Sequence, residues 1–263
     1  MKYNRKRYHD LMMDSLSEED CDLSLYSKII RNEQSEDNMC GRFTLTIDPF
    51  ALQEAFPWAI VPDDLPVRYN IAPSQPVAVI PNTGDNIVTM YKWGLIPSWS
   101  KDPSIGDRMI NARAESLAEK PSFRNAYKRR RCLILSDGFY EWKQNPDLKT
   151  KQPMYIRLKD GKPFAFAGLW EVWNAPDGSE IRSCTVITTQ PNSLLEAIHN
   201  RMPVILPSSA YNKWLAKEDQ QPTQLNGLLV PYPASEMIAF PVSKMVNRPE
   251  LDTPELVKPI DNR

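Results

Sequence analysis

From residue 40 onward, apolar and polar positions alternate in short runs punctuated by Pro, Gly, Asn and Asp. Runs rich in β-branched and aromatic residues predict strands at Arg42–Thr46, Val77–Ile80, Ile87–Leu95, Arg131–Trp142, Met154–Lys159, Phe164–Trp173, Cys184–Thr189, Val204–Leu206 and Met237–Val242. Apolar residues at helical spacing predict helices at Pro49–Phe56, Ala114–Arg129, Ser193–His199 and Ser208–Lys217. The first has Asp48 as a cap and Pro49 in its first turn, and the last starts at Pro207–Ser208. Strands outnumber helices and do not alternate with them regularly. This pattern predicts an α+β fold, a single compact domain around a mostly antiparallel, distorted β-barrel-like sheet with peripheral short helices.

The first 38 residues read differently. They contain no Gly, Pro, Trp or Phe, and only a weak helix is predicted, around Leu23–Ile30. The first 39 residues carry six basic and nine acidic side chains, while the rest carries 26 basic and 24 acidic. The acidic residues and the lack of an apolar core exclude a targeting peptide. Residues 1–39 are therefore expected to be an N-terminal extension, and residues 40–263 the single functional domain.

Composition narrows the class. An apolar fraction of 41% supports a buried core and excludes a disordered chain. Twenty-four Pro and seven Trp exclude a coiled coil, a helical bundle and a repeat array. Lys+Arg 32 against Asp+Glu 33 leaves no whole-chain basic field, so any nucleic-acid groove must be local. No apolar stretch approaches the roughly 20 residues of a membrane span, so no membrane association is expected. Four Cys and no signal peptide point to a reducing, cytoplasmic compartment, nucleoid-associated in a bacterium. With no C-x-x-C spacing and only His9 and His199, no metal site is expected, and no cofactor. A monomer is the default expectation.

Four segments carry candidate chemistry. In Met39-Cys40-Gly41-Arg42, a Met precedes a small residue as an initiator does. If Met39 is removed, Cys40 owns a thiol and an α-amine on adjacent carbons, with pKa values of roughly 8.5 and 7.7–8.0. Such a 1,2-aminothiol traps aldehydes: the amine forms a Schiff base and the thiol closes a thiazolidine ring. The alternative is a buried, inert Cys. In Ile110-Asn111-Ala112-Arg113, Asn111 is either an N-cap or, in an extended piece, shares one face with Arg113 to hold an oxyanion or phosphate. Glu141 lies between Tyr140 and Trp142, where burial would raise its pKa into the general acid–base range, or it is an exposed strand Glu paired with a Lys. His199 ends the Ser193–His199 helix, where the dipole favours its cationic form, and is either catalytic or structural. Arg201 holds a phosphate or caps carbonyls. Arg68-Tyr69-Asn70 and the loop from Tyr91 to Trp99 add aromatics and cations of the kind on which single-stranded bases stack.

Together these segments resemble the SRAP family, the SOS-response-associated peptidases or abasic-site processing proteins. The matching stretches are Met39–Phe43, Arg68–Pro73, Trp93-Gly94 with Pro97 and Trp99, Ile110–Glu115, Asp137–Trp142, His199–Pro203 and Pro241–Ser243, in family order. The resemblance implies a compact α+β domain that forms a covalent crosslink with abasic sites in single-stranded DNA. It implies that Cys40 crosslinks after self-processing, that Glu141 and His199 are its acid and base, and that Asn111 helps build the site. It implies phosphate contacts for Arg42, Arg113 and Arg201, and site-lining positions for Asn70 and Thr188. Trp99 is expected to stack a base. Family members begin at the Met-Cys, whereas here 38 residues precede Met39. Three explanations are carried forward: a start codon assigned too early, a propeptide cut between Met39 and Cys40, or a retained tail that abolishes the chemistry. The rival functions are a cysteine peptidase acting on other proteins and a non-covalent single-strand binding module.

Overall fold

The alternating runs fold into two sheets. The structure is a computed structural model and describes residues 40–144 and 150–260; the Leu23–Ile30 helix lies outside them. The strands are β1 (Arg42–Leu45), β2 (Arg68–Ile71), β3 (Pro76–Pro81), β4 (Thr89–Trp93), β5 (Asn111–Arg113), β6 (Arg131–Ser136), β7 (Gly138–Gln144), β8 (Lys151–Leu158), β9 (Phe164–Asn174), β10 (Glu180–Thr189), β11 (Met202–Pro203), β12 (Ile205–Leu206) and β13 (Met237–Pro241). The helices α1 (Pro49–Ala55), α2 (Arg124–Arg129), α3 (Tyr211–Trp214) and α4 (Pro222–Leu225) are all short.

One sheet closes into a barrel. β4, β3, β6, β9 and β10 pair in that order, antiparallel throughout, and a parallel β10–β4 pairing completes the ring. At its rim β5 adds parallel to β10, β11 adds antiparallel to β10, and β12 adds to β9. The second sheet is open and antiparallel, in the order β13-β8-β7-β1-β2. Alternation along its strands gives it two faces. Phe43, Phe139 and Ile156 face the barrel, where Phe43 and Phe139 meet Phe166 with ring centroids 5.7 and 6.0 Å apart. Buried Phe side chains of this kind contribute roughly 1.5–3 kcal/mol each. Tyr140 and Tyr155 face the other way, under Val242, Val246 and Leu256 from the C-terminal segment.

Several expected elements change, each for a local reason. The Arg131–Trp142 run splits at Asp137 into β6 of the barrel and β7 of the open sheet. Asp137 accepts Thr44 Oγ1 and Thr46 Oγ1 at 2.5 Å and the Thr46 amide at 2.6 Å, which seats the crossover against the end of β1. The Ala114–Arg129 helix is instead a 3₁₀ turn at Ala114–Ser116 and, after Pro121, the short α2. Pro121 lacks an N–H and disfavours helical geometry in Lys120. Ser193–His199 forms only turns: Asn192 Oδ1 accepts the Leu194 and Leu195 amides, and the i→i−4 bonds are confined to Glu196 and His199. Arg68–Ile71, for which no strand was expected, is strand β2, and α4 carried no recognised signal. Buried Arg131 donates to the carbonyls of Tyr127 and Lys128 at the end of α2 and of Trp214 and Ala216 at the end of α3, tying both helices to β6. No described helix is long and apolar enough to cross a membrane.

Candidate active site

The candidate site lies where the open sheet meets the barrel rim. Cys40 lies just before β1, separated from it by Gly41, with its backbone in the left-handed region at φ 31°. Its amide N–H donates to Glu141 Oε1 at 2.9 Å. Antiparallel pairing of β1 with β7, Arg42 opposite Tyr140, brings the two residues together. The Cys40 carbonyl accepts Asn111 Nδ2 at 3.5 Å. Asn111 is the first residue of β5 and pairs with Val186 of β10, so it reaches Cys40 from the barrel. The backbone of one cysteine is thus held between a carboxyl from one sheet and an amide from the other.

Burial sets the electrostatics. Glu141 is 1% exposed, and desolvation pushes its pKa up to about 8; the Cys40 amide and the charge of Lys151 oppose that rise. Desolvation, reinforced by the nearby Glu141, raises the Cys40 thiol well above its ordinary value. Half-buried His199 shifts downward, mainly from desolvation, with the Lys151 charge adding to it. The helix-end expectation for His199 therefore fails twice: it ends a turn, and it is held toward its neutral form.

The arginines are placed by their neighbours. Arg42 Nη1 donates to Asn70 Oδ1 and to the Val246 carbonyl, both at 2.7 Å. Asn70 is fully buried, and its Nδ2 donates to the carbonyls of Val246, Arg248 and Leu251 at 3.3, 3.0 and 2.7 Å. Asp252 then accepts the Tyr69 and Asn70 amides of edge strand β2 and the Arg68 guanidinium. Arg113 is exposed at the end of β5, opposite Thr188 of β10, on the same strand face as Asn111. Arg201 is turned onto Glu115 Oε1 and Oε2 at 2.7 and 2.8 Å and onto the Thr188 carbonyl at 2.8 Å. Trp99 is 59% exposed in the loop after Gly94.

The geometry joins Cys40, Glu141 and Asn111 directly, pairs Arg42 with Asn70, and pairs Arg201 with Thr188. Glu115, Lys151 and Asp252 were given no role from sequence. Glu115 stood within a recognised segment; Lys151 and Asp252 act across the fold and left no local signal.

A cysteine gripped at the seam of a small barrel and a sheet defines a recognisable class, and comparison with known proteins agrees. The family model for SOS response associated peptidase (SRAP) matches residues 39–249. The abasic site processing protein YoqW of Bacillus subtilis (strain 168) is 48% identical over 227 residues, covering 84% of this chain and 99% of YoqW. The abasic site processing protein HMCES of Rattus norvegicus is 30% identical over 272 residues, covering 85% of this chain and 76% of that protein. A crystal structure of a Bacteroides thetaiotaomicron protein superposes with a TM-score of 0.74 at 28% identity, covering 84% of this chain and all of that one. The chain belongs to the SRAP family.

Proposed function

We propose that this protein processes abasic sites in single-stranded DNA and captures the open-chain sugar covalently through Cys40. The observation that carries this reading is the 2.9 Å contact between the Cys40 nitrogen and the buried Glu141 carboxyl. Once the Met39–Cys40 bond is cut, that nitrogen becomes an α-amine already seated beside an acid–base group.

The chemistry runs in two stages. In the first, the Cys40 sulfur attacks the Met39 carbonyl carbon and the C–N bond breaks. The nitrogen leaves with a proton supplied by Glu141, which its raised pKa keeps mostly protonated at neutral pH, and the proton lost by the thiol restores Glu141. Water then hydrolyses the thioester and releases residues 1–39. In the second stage, the new amine beside Glu141 favours the carboxylate, so Glu141 becomes a proton acceptor. The amine adds to the C1′ aldehyde, water departs, and the thiol adds to the Schiff-base carbon. Sugar and cysteine become thiazolidine with loss of one water.

In this reading His199 exchanges the remaining protons, and Asn111 holds the Cys40 carbonyl. Arg42, Arg113 and Arg201 lie beside the phosphate path, with buried Asn70 and Thr188 supporting Arg42 and Arg201 from behind, and Trp99 stacks a base.

The test is the intact mass of the full chain after incubation with an abasic single-stranded oligonucleotide. The expected result is loss of residues 1–39 plus an oligonucleotide-sized adduct, absent in Cys40→Ala. Multiple-turnover cleavage of unrelated peptides would replace this reading with a general cysteine peptidase. Reversible, salt-sensitive DNA binding without an adduct would replace it with a binding module.

A further inference from the structure

His199 has one ring nitrogen committed. The Arg201 backbone N–H donates to His199 Nδ1 at 3.3 Å. A nitrogen that accepts carries no proton, so the neutral ring keeps its hydrogen on Nε2. The turn that makes this bond has no regular helix to hold it. What fixes it is the side chain of the same residue, Arg201.

The guanidinium is held as a fork. Nη1 and Nη2 meet the two oxygens of Glu115 at 2.7 and 2.8 Å, and Nη2 also meets the Thr188 carbonyl. The Arg201 side chain is 10% exposed and that of Glu115 51%. A charge-assisted, two-pronged pair of this kind fixes geometry as well as sign. Its anchor points matter. Thr188 lies on β10, and Glu115 lies in the turn directly after β5, the strand that carries Asn111. One ion pair therefore ties the His199 turn to the strands that position Asn111. Without the carboxylate, Arg201 would be a buried cation with a single carbonyl partner, and its backbone would be free to move.

We propose that Glu115 is a positioning residue which, through Arg201, fixes neutral His199 in the Nε2–H form and so makes its Nε2–H the hydrogen-bond donor of the site. This rests on the reading of His199 as an acid–base residue in abasic-site capture. It leaves the proton acceptor in the capture stage to be Glu141. Glu115 itself touches neither Cys40 nor the sugar.

The experiment is an imidazole ¹H–¹⁵N correlation spectrum of the full chain near neutral pH, run beside a crosslinking time course. The chain has two histidines, His9 and His199, and His9→Gln assigns their signals. Wild type should show His199 with a bare Nδ1 and a protonated Nε2. Glu115→Gln, and independently Arg201→Lys, should each give a mixture of tautomers and slow adduct formation by about tenfold or more, part of the roughly 100-fold or more that one positioned hydrogen-bond donor to developing charge contributes. A ring that stays in the Nε2–H form in both variants overturns the proposal, as does a shifted tautomer with an unchanged adduct rate. A wild-type protein with the expected tautomer and no adduct would instead sink the abasic-capture reading and leave the tautomer assignment intact.

Discussion

The backbone nitrogen of Cys40 and the Oε1 atom of Glu141 face each other across 2.9 Å, with the carboxyl 1% exposed. A buried acid aimed at a peptide nitrogen is costly to keep ionised and is positioned to exchange a proton with that nitrogen. Glu141→Gln retains an oxygen that accepts the amide but has no proton to give or take. Self-cleavage and adduct formation should fall by roughly 100-fold or more. Binding to intact single-stranded DNA should be unchanged. A mass-spectrometric time course beside fluorescence anisotropy separates the two, and equal losses in both would make Glu141 structural.

The same carboxyl predicts a pH dependence of stability. Its folded pKa, about 8, lies above the unfolded value of roughly 4.3. The folded state therefore binds the proton more tightly than the unfolded chain between those limits. This contribution to stability is fully present below the unfolded pKa and is lost as pH rises toward 8. Glu141→Gln removes the dependence. In chemical denaturation, the variant's advantage over wild type should grow between about pH 5 and pH 8 and level off above. An advantage independent of pH would contradict the buried-acid assignment.

Much of this architecture was legible because short apolar runs bounded by breakers leave few alternatives to strands. The barrel-like sheet was among what could be read, but its closure through a parallel β10–β4 pairing was not, since that depends on contacts across some ninety residues: Cys184 lies opposite Trp93. The helix expected at Ala114–Arg129 failed because a favourable pattern was read through Pro121. In the site, Cys40, Glu141 and His199 stood out by residue type. Asn111 kept two readings until β5 made it a strand residue, with Arg113 on the same face. Glu115 and Asp252 were invisible as site residues because a carboxylate announces nothing until its cation or amide partner is in place.

Asn70 offers a test of the layer that supports Arg42. Its side chain accepts Arg42 Nη1 and donates to three carbonyls of the C-terminal segment. Asn70→Ala leaves those carbonyls without that partner and frees the guanidinium. A loss of about 2–4 kcal/mol is expected, from two or three buried hydrogen bonds at roughly 1–1.5 kcal/mol each. Denaturant unfolding measures it. A change under about 0.5 kcal/mol, the ordinary scale for surface sites, would show that the segment does not depend on Asn70.

The Trp99 loop separates a binding contribution from a structural one. It starts where two backbones nearly touch: a Cβ on Gly94 would lie 2.5 Å from the Gly106 oxygen, and one on Gly106 would lie 2.7 Å from the Gly94 oxygen and 2.9 Å from Ile96 Cγ1. Gly94 also sits at φ 128°, which disfavours any side chain. Beyond the crossing, Trp173 Nε1 holds the Ser100 carbonyl at 2.7 Å, and Trp99 stands 59% exposed between these anchors. Trp99→Ala should weaken single-stranded DNA binding by about 1–3 kcal/mol, the range for one stacked base, with the melting temperature unchanged. Gly106→Ala should lower stability by about 1–3 kcal/mol through overpacking, and should weaken DNA binding because the loop shifts. If Trp99→Ala leaves DNA affinity at the wild-type value, the exposed ring is not a stacking platform, whatever Gly106→Ala does.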